Sequence, residues 1–229
     1  MKALVFDTGP IISLAMNNLL WTLKKLKAEF KGDFYITPGV KQEIVDKPLN
    51  SKRFKFEAMQ VMKEIKENTL TEYDSEQLRN KSLELLSLAN NMFMAERNYI
   101  KVVDYAEMEV LACCLLVNAN AAIIDERTTR TLVEKPERLK EILERKLHTK
   151  IAINRENMNK LSELIKNIKV IRSLELTVIS YEKGFFRDYT PNIKNPQKNL
   201  LDGLLWAVKL NGCSVSADEI EKAISLEGK

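Results

Sequence analysis

The chain has 229 residues, 45% hydrophobic and 30% charged, with a formal net charge of +4 and an isoelectric point near 8.8. That length buries a self-sufficient core, and the mild positive charge permits a polyanionic partner without the long basic runs of a charged tail. Three cysteines without metal spacing, a single histidine and no apolar stretch approaching the ~20 residues of a bilayer span exclude a disulfide framework, a histidine-ligated zinc centre, a Ser-His-Asp triad and a membrane protein.

Residues 2–7 read KALVFD, a short buried-strand pattern that ends in an aspartate. Pro10 suits a first helical turn, and an amphipathic run extends from Ile11 to about Lys27. DFYI at 33–36 reads as a second strand. Thr37 then caps a helix with Pro38 at its first position and Val40, Ile44 and Val45 behind it, ending near Pro48. Strand, helix, strand, helix is the pattern of a parallel α/β sheet. Helical spacing recurs over 53–67 and 75–98, where the Leu and Met stripe serves either a monomer core or a homodimer interface. IKVV at 100–103 reads as a short strand and Tyr105 to Asn118 as a helix. Within it, Cys113 and Cys114 are expected to be buried small hydrophobes, which with the lack of a signal-peptide h-region fits a reducing cytoplasm. AAII at 121–124 is a strand closed by Asp125. A charged helix at 136–147 follows, with His148 at its exposed end. Beyond it, 151–154, 170–173 and 174–181 (LELTVISY) are strand candidates, with a helix at about 156–167. Residues 184–199 read as a Gly/Pro/Asn-rich loop, and 200–211 and 217–226 as short helices.

Two strands therefore end in aspartates, Asp7 and Asp125, far apart in sequence. In an open parallel sheet, ligands gather outside the carboxyl ends of the strands. Carboxylates crowded on that rim repel one another, which raises their pKa values unless a hard cation with a taste for oxygen ligands neutralises them. Glu43 lies in the N-terminal half of the helix after the second strand and faces the same rim. Asp104 and Glu107 have capping-box spacing, with Asp104 the cap and Glu107 free to project towards the rim as well. Glu109 points elsewhere. Asp125 is followed by ERTTR: it caps the next helix or faces the rim, and Arg127 and Arg130 either hold a phosphate or pair with Glu126 and Asp125.

VFDTGPIISL, TPGVKQEI and YAEMEVLACCLLVNANAAIIDERTTR, in this order, resemble the three motif segments of the PIN-domain nuclease family, over roughly residues 1–135. The resemblance implies a three-layer α/β/α sandwich around a central, mostly parallel sheet, with residues 1–150 as the nuclease-like domain and 151–229 as a C-terminal α/β extension packed on it. It implies that Asp7, Glu43, Glu107 and Asp125 are the catalytic acids, that Asp7, Glu107 and Asp125 hold Mg²⁺ or Mn²⁺, and that Thr8 assists beside the first acid. Asp104 and Glu126 take secondary places. Many relatives carry Asp as the third acid, so Asp104 competes with Glu107, and the alignment of AEMEVLA favours Glu107. The activity implied is endonucleolytic hydrolysis of RNA, chiefly single-stranded, leaving a 5′-phosphate. Arg127, Arg130 and Lys198 are candidates for the substrate path. Phe185 and Phe186 either stack bases or pack within the C-terminal part. An antitoxin-like partner would accompany a toxin role, although toxin members are usually shorter than this chain.

Three alternatives compete with a PIN-type nuclease. A catalytically inert PIN-like RNA-binding or assembly module would not need all four acids. A dehalogenase-like phosphatase requires a second acid two residues after the first, where Gly9 stands. A purely nucleic-acid-binding protein would show recognition motifs that are missing.

Overall fold

A computed structural model describes residues 2–190 and 192–227. Strand β1 (Ala3–Phe6) leads into helices α1 (Thr8–Met16) and α2 (Trp21–Phe30), then β2 (Asp33–Ile36) and α3 (Pro38–Lys41). A π-helical segment (Gln42–Asp46) joins α3 to α4 (Lys47–Leu49), and α5 (Lys55–Lys66), β3 (Thr71–Glu72) and α6 (Glu76–Asn90) follow. Next come β4 (Phe93–Ala95), β5 (Asn98–Tyr99), α7 (Tyr105–Leu116), β6 (Ala121–Ile123), α8 (Arg127–Glu134) and α9 (Pro136–Leu147). The chain closes with β7 (Ala152–Ile153), α10 (Arg155–Ile165), β8 (Val170–Ile171), α11 (Ser173–Glu182), a 3₁₀ turn (Arg187–Tyr189), α12 (Pro196–Leu210) and α13 (Ala217–Glu227).

Five strands form one parallel sheet in the order β3-β2-β1-β6-β8. Every residue of β1 and β6 is buried, as expected of strands covered on both faces, whereas β2 buries only alternate residues. Helix α7 packs on β1 and β6, with α6 stacked on it and α10 on α6; α1 packs on α5, α11 and α12, and α11 on β8. Helices thus flank a parallel sheet, and residues after 150 supply its fifth strand. A small antiparallel sheet, β5-β4-β7, lies apart. No helix among the described residues is long and apolar enough to cross a membrane.

Several elements differ from the sequence reading, each for a local reason. The run from Ile11 to Lys27 is two helices, broken where Asn18 takes the left-handed conformation (φ 55°). The stretch 75–98 stops being helical at Asn90 and becomes a tight β4–β5 hairpin whose two turn residues, Glu96 and Arg97, both have positive φ, the hallmark of a type I′ turn without its usual Asn-Gly. Its helical part buries Leu78, Leu85 and Ala89, with α7 of the same chain as neighbour. IKVV is not a strand: the Asn90 side chain accepts from the Val102 and Val103 N–H groups (2.7 and 3.1 Å) and donates to the Val103 carbonyl (2.9 Å), so these backbone groups are satisfied without a ladder. LELTVISY is helix α11, begun by Glu175 accepting the Arg172 N–H at 2.7 Å. The expected loop 184–199 is shortened by the 3₁₀ turn and by α12 starting at Pro196; Pro191 within it lies outside the described residues.

The helix expected to stop near Pro48 ends at Leu49. A proline inside a helix cannot donate to the carbonyl four residues back and collides with it. The turn just before Pro48 is widened instead, with the Lys47 N–H reaching the Gln42 carbonyl in π fashion.

On β2, beside the central strand, Phe34 packs its ring 5.1 Å from Phe6 and 5.8 Å from Phe30 and is fully buried. Phe34→Ala should therefore destabilise the protein by about 3–5 kcal/mol, read as a lower urea midpoint at an unchanged denaturant slope.

Candidate active site

Asp7 terminates β1. Its N–H continues the ladder to the Ile123 carbonyl at 2.9 Å, and its side chain is 6% exposed. Asp125 follows β6 and is 1% exposed. Gly9 lies between them: a Cβ there would sit 3.3 Å from the Asp125 Cβ and 4.0 Å from Asp7 Oδ2. A bare backbone at this position lets the start of α1 approach both aspartates.

Glu43 is placed by the widened turn, where the Thr8 hydroxyl donates to its Oε2 at 2.8 Å. Glu107 accepts the Asp104 N–H on Oε2 and the Thr129 hydroxyl on Oε1, both at 2.7 Å. It therefore caps α7 and faces the rim at once. Asp125 is held on both oxygens by one residue, accepting the Ser173 N–H (2.8 Å) and the Ser173 hydroxyl (2.7 Å). It tethers α11 rather than capping α8, which is the task of Glu126 through the Thr129 N–H at 2.7 Å.

Asp7, Glu43, Glu107 and Asp125 all line one open cleft of about 320 Å³, together with Thr8, Asp104 and Glu126. Four chain segments thus converge there. Asp104 is exposed and pairs with Lys101. Arg127 and Arg130 do not line this cleft and do not pair with Glu126 or Asp125; both line a neighbouring one. Lys198 is exposed on α12. Phe186 packs edge-on against Trp21 at 5.5 Å and is buried, while Phe185 lies beneath the Lys25 ammonium at 5.3 Å. Packing, not base stacking, occupies Phe186. Glu109 is buried and accepts the Gly39 N–H at 2.7 Å, so its carboxylate anchors the start of α3, and a Cβ at Gly39 would strike it.

Three residues of this neighbourhood escape sequence reasoning in their present roles. Ser173 lies within a stretch resembling a strand, Thr129 stands in the ERTTR run without a site role, and Gly212, which lines the cleft from the turn after α12, carries no motif. Only the rule that a buried carboxylate needs donors points to a hydroxyl partner for Asp125.

Burial is the largest cause of the site's electrostatics. It pushes Asp7 from 3.8 up to about 7, against the Thr8 N–H, with smaller contributions in the same direction from Glu107, Glu43 and Asp125. Burial likewise raises Glu107, against the Asp104 and Thr129 hydrogen bonds, and Asp125, against those from Ser173. The direction matches the expectation from crowded acids, but desolvation outweighs repulsion. Among the described residues none of the four acids forms an ion pair with Lys or Arg. An all-oxygen, uncompensated donor set suits a hard dication that retains its own waters. Glu43, Glu107 and Asp125 already accept protein hydrogen bonds, and among the described residues no three His, Cys, Asp or Glu side chains stand close enough to enclose a cation unaided.

Comparison with protein-family models, with curated proteins and with solved structures gave no match.

A carboxyl whose pKa is higher folded than unfolded stabilises the fold fully below the unfolded value, and that contribution is lost as pH rises through the folded one. For Asp7 the window runs from 3.8 to about 7, and Glu107 and Asp125 act in the same direction. In EDTA, these three groups should make the protein melt at a lower temperature at pH 8 than at pH 5. Asp7→Asn should raise the melting temperature at pH 8, by an amount on the order of a few kcal/mol in stability, and do so less at pH 5.

Proposed function

We propose that this chain is a metal-dependent endoribonuclease of the PIN type, its helix-flanked parallel sheet forming that family's three-layer sandwich, and that it hydrolyses phosphodiester bonds in single-stranded RNA. The observation that carries this reading is the convergence of Asp7, Glu43, Glu107 and Asp125, from four separate segments, into one cleft at the carboxyl rim of the sheet, with no basic partner among the described residues. A structural role would favour dispersing or pairing such charges, because buried uncompensated carboxylates are costly.

Asp7, Glu107 and Asp125 would hold Mg²⁺ or Mn²⁺, with Glu43 beside them in the same cleft. When bound, the ion supplies charge to offset the phosphodiester and acidifies an attacking water. The chain's own groups fix the geometry. Thr8 keeps Glu43 aimed at the cleft, Thr129 and the Asp104 N–H hold Glu107, and Ser173 locks the Asp125 carboxylate. Asp7, raised to about 7, carries a proton over part of the range around neutrality and would have to lose it before holding a cation.

A second reading is favoured by the hydrogen bonds on three of the four acids: an inert PIN-like module that binds RNA or assembles with other proteins. The two part on Mn²⁺ affinity, which the inert module would lack.

Purified protein with Mn²⁺ should cleave a labelled unstructured RNA, and activity should vanish with EDTA and with Asp7→Asn while the circular dichroism spectrum persists. Equal cleavage by wild type and Asp7→Asn would assign the activity to another site or to a contaminant. The two neighbouring glutamates on α7 should separate. Glu107→Gln should lower cleavage at least about 100-fold with the fold retained. Glu109→Gln should keep cleavage but lose about 1–3 kcal/mol of stability in urea titrations, because the anchored start of α3 loses its charged acceptor.

A further inference from the structure

Beside the acidic cleft lies a larger one of about 710 Å³, between α8, the start of α9 and the turn joining α12 to α13. Four cations line it: Arg127, Arg130, Arg138 and Lys209. Two of them are anchored to the turn. Arg130 Nη1 donates to the Ser214 carbonyl at 3.1 Å, and the Lys209 ammonium bonds the Val215 carbonyl while lying 5.6 Å from the centre of the Trp206 ring. Arg127 and Arg138 are exposed, and among the described residues their guanidinium groups have no ion pair or hydrogen bond. The opposing acids are Glu134 and Glu219, and Glu219 is already engaged by Arg172 at 2.9 Å and by Ser216. The lining is therefore cationic, with its two free guanidiniums open to solvent.

The two clefts share a wall. Asp125 and Glu126 line the acidic side and Arg127 the basic side; Gly212 lines the acidic side, Cys213 and Ser214 the basic side. Ser214 is pinned between them, its N–H donating to the Asp125 carbonyl at 3.2 Å and its own carbonyl accepting from Arg130. A cation cluster next to an acid cluster, with only this strap between, suits a ligand bearing several phosphates in a row.

We infer that the basic cleft holds the sugar-phosphate backbone of the RNA strand that runs on from the bond lying in the acidic cleft, with Arg127 and Arg138 as the principal phosphate contacts. This rests on the ribonuclease reading for the nature of the strand. It assigns a role to α9 and to the turn around residues 212–216, which lie outside the family-like segments. The same chemistry could serve a free nucleotide, so the length of the ligand decides between sources.

The test is fluorescence anisotropy with a 5′-labelled unstructured 12-nucleotide RNA, in EDTA, across a salt series. Arg127→Ala/Arg138→Ala should bind roughly 10-fold or more weakly. Its plot of log affinity against log salt should be shallower by about 1.4, because each phosphate that a single strand no longer has neutralised lowers the slope by about 0.7. Circular dichroism should match wild type, since neither guanidinium holds another part of the protein. AMP should compete far less well than the unlabelled 12-mer. Unchanged affinity and slope in the double variant would overturn the inference, as would competition by AMP equal to that of the oligomer. Failure of the wild type to cleave RNA with Mn²⁺ is a separate outcome: it counts against the catalytic reading, whereas the binding of the double variant decides the basic cleft.

Discussion

One hydroxyl-bearing residue holds much of this molecule in register. Ser173 gives both its N–H and its hydroxyl to the Asp125 carboxylate, 48 positions earlier in the chain. The pair joins the end of β6 to the start of α11 just where β8 leaves the sheet. Charge-assisted bonds of this kind are the strong ones, and burial makes their loss costly. The last third of the chain reaches the wall of the acidic cleft at Gly212, two residues before the Ser214 N–H that donates to the Asp125 carbonyl. A sheet, a helix start and a candidate catalytic carboxylate are thus fixed by one pair of residues.

The acidic cleft costs the fold stability. Asp7 and Asp125 are almost wholly removed from water, and neither has a cationic partner among the described residues. The chain offsets Asp125 with two donors from Ser173 but leaves Asp7 with little beyond the Thr8 N–H, so burial carries Asp7 up to about 7. Sites that must receive a charged ligand commonly retain such tension, because groups already satisfied by the protein have less to gain from binding. Glu109 makes the contrast on the same helix: equally buried, it is used in anchoring Gly39.

Much of the frame was legible in the residues. KALVFD, DFYI and AAII are strands at nearly their expected bounds, and the aspartates that close two of them do meet at one rim with Glu43 and Glu107. Local apolar runs and the rule for carboxyl ends of parallel strands suffice for that. What stayed hidden depends on partners distant in sequence. Asn90 replaces a strand ladder with side-chain bonds; Glu96 and Arg97 turn a hairpin without glycine; and the β-branched residues of LELTVISY mask a helix whose start is held by both Glu175 and Asp125. The basic cleft belongs to the same category. Arg127 and Arg130 stand next to the acidic motif in sequence, yet they face Arg138 and Lys209 instead.

The widened turn before Pro48 reaches further than its five residues. A regular helix advances about 100° per residue, so closing the bulge into ordinary α-helix would swing its first half against its second by about one such step. Glu43 faces Thr8 and the cleft, while Ile44 and Val45 are buried in the core. With regular winding, Glu43 could keep its aim at Thr8 only if the chain after the bulge were turned by that step. The proline lies outside the cleft, yet its ring, by forbidding a tidy helix, sets the azimuth of an acid inside it.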